Sequence, residues 1–133
     1  MASRSELLAG ILDQLVNNNS TDVAGAAVIS TDGMLLGSRM GPEVNADRVG
    51  AIAATMMGVT VRVVNDLKIG KAEETIIRAD NGYLVVVPVT NQVVLAITLR
   101  AHANLGMIRL EAREAGQAIA VAMSANLVAA GVA

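Results

Sequence analysis

Between Ala46 and Lys68, apolar residues recur at helical spacing along more than one side of the chain. Val49, Ile52, Ala53, Met56, Val63 and Leu67 make one stripe. Gly50, Ala54, Gly58 and Val61 make a second, smaller stripe. A helix lying on one sheet needs a single stripe. We assign the first to the sheet, and the second predicts another partner.

The remaining pattern places seven further elements around this helix. A first helix is predicted over Arg4–Val16, with Leu7, Leu8, Ile11, Leu12 and Leu15 on one face. Ser3 and Glu6 have capping-box spacing, and the run Asn17-Asn18-Asn19-Ser20 ends the helix. Strands follow at Val23–Ser30 and about Met34–Ser38, joined by Asp32-Gly33, a tight-turn pair suited to positive φ. Gly41-Pro42 ends this hairpin. Asn45 is the expected cap of the second helix, and Lys68 with Gly70 its finish.

Three more strands are expected at about Ala72–Arg78, Tyr83–Val89 and Val93–Leu99, with Asn81-Gly82 and Thr90-Asn91-Gln92 as turns. A third helix starts after Asn104 and runs to about Val128. Leu105, Ile108, Ala112, Ala115, Ile119, Ala122 and Met123 form its apolar face. The order is α-β-β-α-β-β-β-α, with no linker or repeat that would divide a single domain over residues 1–133.

Strand composition ranks the strands by position. LVVVPV and VVLAITL are nearly continuous in apolar residues and belong inside a sheet covered on both faces. AEETIIR carries Glu73, Glu74 and Arg78 around Ile76 and Ile77, as an edge strand does. Such an edge either pairs with its copy in another subunit or is blunted by its charges. Pro88 cannot donate to a ladder, so a strand end or a bulge is expected there.

Composition sharpens this picture. Hydrophobic residues are 53% of the 133, but only one is aromatic, a Tyr. The core is therefore Val, Ile, Leu, Ala and the seven Met. Large aromatic side chains bury the most area, so such a core favours extra burial by oligomerisation. Met56 is expected in the core, while Met57 divides evenly between core and binding surface.

The net charge of -2, without a basic patch, gives nucleic-acid binding little support. Cysteine is absent, which removes disulfides, thiol catalysis and thiolate metal sites. Glu6 and Asp13 interrupt the early apolar run, so no signal peptide is expected, and a cytoplasmic location fits. Ala115–Ala133 is uncharged but rich in Ala and Gly, with Gln117, Ser124 and Asn126 inside. It is expected as a buried terminal helix and not as a membrane insertion.

No catalytic constellation emerges. The one histidine, His102, lies in a loop, and nucleophilic catalysis needs a base held beside its nucleophile. One His and no Cys make a metal site unsupported, and no cofactor is expected. The run Gly37-Ser38-Arg39-Met40-Gly41-Pro42 lacks the ending of a phosphate loop. Glu111 and Glu114 share a helix face with Arg113 close by and read as a solvated surface.

The element order over the whole chain resembles the Roadblock family, the dynein light chain Roadblock-type domains. The last strand and helix, VVLAITLRAHANLGMIRLEAREAGQAIA, carry the most specific likeness, above all Asn104-Leu105-Gly106, Ile108-Arg109 and Glu111-Ala112-Arg113. VAGAAVISTDGMLLGS is similar to the family's first hairpin.

The resemblance implies a three-layer α/β/α, profilin-like domain of the α+β class. Its five-stranded, mainly antiparallel sheet has the order 2-1-5-4-3, with the second helix alone on one face. It also implies a homodimer joined through the third strand and second helix, acting on small Ras-like GTPases. On that frame the expected dimer contacts are Gly50, Ala54, Met57, Gly58 and Val61 on the helix. Glu73, Thr75 and Ile77 are expected on the strand. Arg48, Thr55 and Arg62 are the residues assigned to a GTPase. The expected function is a non-enzymatic regulator or scaffold. A small-molecule sensor with a pocket between sheet and helix and a purely structural assembly module are the competing readings.

Overall fold

The computed structural model describes residues 2–129. The last part of the Ala115–Ala133 stretch, residues 130–133, lies outside them. The elements are α1 (Arg4–Asn18), β1 (Val23–Ser30), β2 (Leu35–Arg39), α2 (Ala46–Leu67), β3 (Thr75–Ala79), β4 (Gly82–Thr90), β5 (Val93–Arg100) and α3 (Leu105–Ala129). Among the described residues, no helix is long and apolar enough to cross a membrane.

Local chemistry sets the helix starts. At α1, Ser3 Oγ accepts the Glu6 backbone N–H at 3.1 Å, and Glu6 Oε1 accepts the Ser3 N–H at 3.5 Å. Each satisfies a donor that the helix itself leaves open. Asn45 caps α2 by accepting the Arg48 N–H at 3.2 Å, and Asn104 caps α3 by accepting the Met107 N–H at 3.2 Å. At its other end, α2 closes on Lys68 in the left-handed conformation, φ 55°. Here the Ile69 N–H reaches back to the Val64 carbonyl at 3.1 Å. Glycine usually takes this position; here it follows two residues later, as Gly70.

The five strands form one antiparallel sheet in the order β2-β1-β5-β4-β3. The most apolar strand, β5, is central. Pro88 sits where the β4–β5 register shifts, between Pro88 and Thr90, so its missing donor falls at a bulge. β3 is an edge, shorter than expected at its start: Glu73 and Glu74 precede it instead of belonging to it.

The sheet carries helices on both faces. Leu8, Leu12 and Leu15 of α1 and Ile108 and Ile119 of α3 pack on Val28, Val85, Leu95 and Ile97. On the opposite face, Ala53 and Met57 of α2 pack on Ala27, Ile29, Val86, Val94 and Ala96. The apolar faces predicted for α1 and α3 are the ones buried.

Two glycines separate backbone from packing effects. Gly82 has φ +157°, and a Cβ there would collide with the Leu99 carbonyl oxygen. Gly10 lies inside α1, and a Cβ there would meet nothing within 4 Å. Gly82→Ala should therefore destabilise the fold by more than about 1 kcal/mol, and Gly10→Ala should stabilise it by about 0.5–1 kcal/mol. Urea unfolding followed by circular dichroism distinguishes the two signs.

Candidate functional site

α2 presents three strips that differ in exposure. The inner strip, Gly50, Ala53 and Met57, is buried against the chain's own sheet. A Cβ on Gly50 would stand 3.3 Å from the Gly33 carbonyl oxygen and 3.5 Å from Ile29. This corrects the assignment of Gly50 and Met57 to a dimer contact. The sheet beneath α2 is built partly from Ala27 and Ala96, so the helix comes close enough for small residues to meet it. Met57, 4% exposed, fills the gap that remains.

The stripe assigned to the sheet lies largely outside it. Ala53 is buried, and Val49 and Met56 are half-buried. Ile52, Val63 and Leu67 are 44%, 46% and 63% exposed, and Val59 joins them at 57%. Val49, Ile52, Met56, Val59 and Val63 follow one another at alternating steps of three and four residues. That is the spacing of a coiled-coil seam.

Two contacts show which way this seam points. Thr60, one turn from both Met56 and Val63, shares a hydrogen bond with the Thr75 hydroxyl at the start of β3. Strand alternation puts Ile77, 47% exposed, on the same face as Thr75. The seam therefore borders the β3 edge and continues onto it. On the other flank, a Cβ at Gly33 in the β1–β2 turn would lie 3.8 Å from Ala51 and 3.9 Å from Ala54. At 3.6 residues per turn, Gly58 and Val61 lie on that flank too, away from β3. Apart from Gly50, the small-residue stripe thus looks towards the β1–β2 end of the sheet and away from the β3 edge.

The third strip is an outer ridge. Arg48, Thr55 and Arg62 recur every seven residues, and all three are exposed. The Thr55 hydroxyl donates to the Ala51 carbonyl at 2.9 Å and so is satisfied within the helix. The ion pairs among the described residues are Arg39–Asp13 and Arg109–Glu74, so neither Arg48 nor Arg62 has a carboxylate partner there.

Glu74 lies just ahead of β3, where the Arg109 Nε–H donates to it at 3.0 Å. That hydrogen bond, and then the carboxylate's charge, raise the Arg109 pKa. The same ion pair joins the segment just ahead of β3 to α3. Glu73 and Glu74 line an open groove of about 690 Å³ between α3 and β4, with Val87, Val89, Arg109 and Leu110. Nε2 of His102 lies 2.8 Å from the Thr21 carbonyl, holding the loop before α3. No group of three or more metal-type side chains gathers among the described residues.

Comparison with known proteins agrees with this architecture. The family model of the Roadblock/LC7 domain matches residues 9–99. The stretch from Asn104 onward, on which the sequence resemblance leaned most, lies beyond that match. Uncharacterized protein MJ0714 of Methanocaldococcus jannaschii is 30% identical over 106 residues, 79% of this chain and 89% of that protein. Myxococcus xanthus MglB superposes with a TM-score of 0.82 over 90% of each chain, at 13% identity. A Roadblock/LC7 domain from Streptomyces avermitilis gives 0.81 over 87% of this chain and 97% of that one, at 15% identity. Profilin II of Acanthamoeba castellanii shares the fold at a TM-score of 0.56 and 16% identity, over 86% of this chain and 97% of that one. At these identities the structures speak for the fold. The family model supplies the rest: it spans more than half of the chain, and the chain belongs to the Roadblock/LC7 family.

Proposed function

We propose that this protein is a homodimeric, non-enzymatic regulator or scaffold of a small Ras-like GTPase. The observation that carries the dimer is the continuous exposed apolar surface made by the α2 seam and Ile77 on the edge strand β3. Two copies related by a two-fold axis would pair β3 with β3 and α2 with α2, both antiparallel, in one operation. Main-chain hydrogen bonds would close the sheet edge while the seams cover each other. Together these contacts should bury about 800 Å² per copy, enough for a stable interface. Self-association has a counterpart among solved relatives: an MglB in a tetrameric arrangement superposes at a TM-score of 0.83 and 17% identity, over 96% of this chain and 95% of that one.

In this reading the dimer contacts are Ile52, Met56, Val59, Val63 and Leu67 on the helix, with Thr75 and Ile77 on the strand. The outer ridge is left facing solvent, and the GTPase role comes from the family. A regulator of this kind need not contribute a catalytic group; it can act by holding one conformation of its partner. Arg62 on the ridge suits an acidic partner surface, because a guanidinium forms paired hydrogen bonds to carboxylates.

Light scattering at micromolar concentration should report a dimer, and a monomer would overturn the reading. Val59→Glu places two uncompensated charges in the seam, one from each copy, and should weaken the dimer about a hundredfold or more. Gly58→Leu, on the far flank, should leave it unchanged. For the GTPase, titration calorimetry with GTP-loaded Ras-like GTPases from the source genome should find a binder. Arg62→Glu should reduce that affinity about tenfold while the dimer stays intact. Equal binding by the variant would remove the ridge from the contact.

A further inference from the structure

We propose that Arg48 and Asp66 form reciprocal ion pairs between two copies and so reinforce the antiparallel pairing of α2 with α2; the inference rests on the homodimer above. Arg48 and Asp66 are eighteen residues apart, five full turns, so they lie on one line along the helix, about 27 Å from each other. That line runs along the outer border of the seam. Both residues are exposed, and neither has an ion-pair partner among the described residues.

The seam dictates where a second copy puts them. A two-fold axis that lays the seam on itself matches Ile52 with Val63 of the other copy, and Met56 with Val59. It crosses the helix level with Met57 and Gly58. The same operation brings Arg48 level with Leu67 of the other copy, one residue from its Asp66. The pairing occurs twice, once at each end. A parallel pair would instead set Arg48 beside Arg48 and Asp66 beside Asp66. Opposite charge therefore favours the antiparallel direction, and like charge opposes the other.

The neighbouring charges leave this pairing open. Asp47 is turned by one residue towards the flank beside the β1–β2 turn. Lys68 lies past the end of the helix in the left-handed conformation. Arg62 is one turn before Asp66, but no ion pair joins them, and the two-fold brings Arg62 level with Ala53 of the other copy, two residues from its Thr55. In this arrangement Arg48 belongs to self-recognition, and Arg62 is the ridge cation left for a third protein.

A charge-swap experiment on the full chain tests the assignment. Arg48→Glu and Asp66→Arg are made separately, and sedimentation equilibrium compares each with wild type. Each variant meets two like-charge contacts in its own homodimer, so each should self-associate about tenfold more weakly. Mixing the two variants should restore wild-type affinity, with more heterodimer by native mass spectrometry than random exchange gives. In about 1 M salt the differences should shrink, since both pairs are exposed. The recovery on mixing also shows that both variants are folded. If wild type dimerises and the variants match it, or mixing restores nothing, the ion pairs are overturned while the dimer stands. A monomeric wild type overturns the dimer and the ion pairs with it.

Discussion

One helix about 10 Å across cannot cover a sheet of five strands spaced about 4.8 Å apart. On one face of this sheet two helices, α1 and α3, share the work. On the other face α2 works alone. The remaining surface features follow from that mismatch. Among the described residues, Ile77 at the β3 end of the sheet stays exposed beside α2, and so do Ile52, Val59 and Val63 on the flank of α2 that looks towards it. Ile52, Val59, Val63 and Ile77 stay in water because of geometry, in a chain with few other large side chains to spend there.

The way α2 seats itself decides which residues are left out. Ala27 and Ala96 on the sheet and Gly50 and Ala53 on the helix are all small, so the two surfaces come close. Close approach suits small residues and leaves the branched aliphatics at the side. A sheet face of Leu or Ile beneath α2 would hold the helix further off, and its larger stripe could then turn inward. On the face covered by α1 and α3 this is what happens: Leu8, Leu12, Ile108 and Ile119 point at the sheet.

Much of the fold was legible in the chain because local chemistry specifies it. The Ser3–Glu6 box, the Asn45 and Asn104 caps, the Asp32-Gly33 and Asn81-Gly82 turns and the Pro88 bulge each depend on residues a few positions apart. The edge position of β3 was legible from its charges. The division of α2 was not. Periodicity reveals how many stripes a helix has, but which one faces inward depends on the size of residues thirty or forty positions away on β1 and β5. Size alone does not decide it, since small residues suit a helix–helix contact and a helix–sheet contact equally well. The alternating three-and-four spacing from Val49 to Val63 was the signal that could have separated them, because it marks a seam between helices. The start of β3 was missed for a different reason. Continuing the β3–β4 register past Thr75 and Val86 would set Glu73 opposite Pro88, which has no N–H to give a ladder.

Each strip of α2 thus carries a different constraint, and the three constraints come in a physical order. The inner strip must be satisfied for the sheet to be covered, so its small residues answer to folding. The lateral seam is left uncovered by the described residues, and its alternating spacing suits a second helix of the same kind. The outer ridge is constrained by neither. Its residues can change with the demands of a third protein without disturbing the core. Arg48 differs from the rest of the ridge in lying at the border of the seam, on one line with Asp66 five turns away. Arg62 is exposed on that ridge and has no ion-pair partner among the described residues, so a change there is separable from folding.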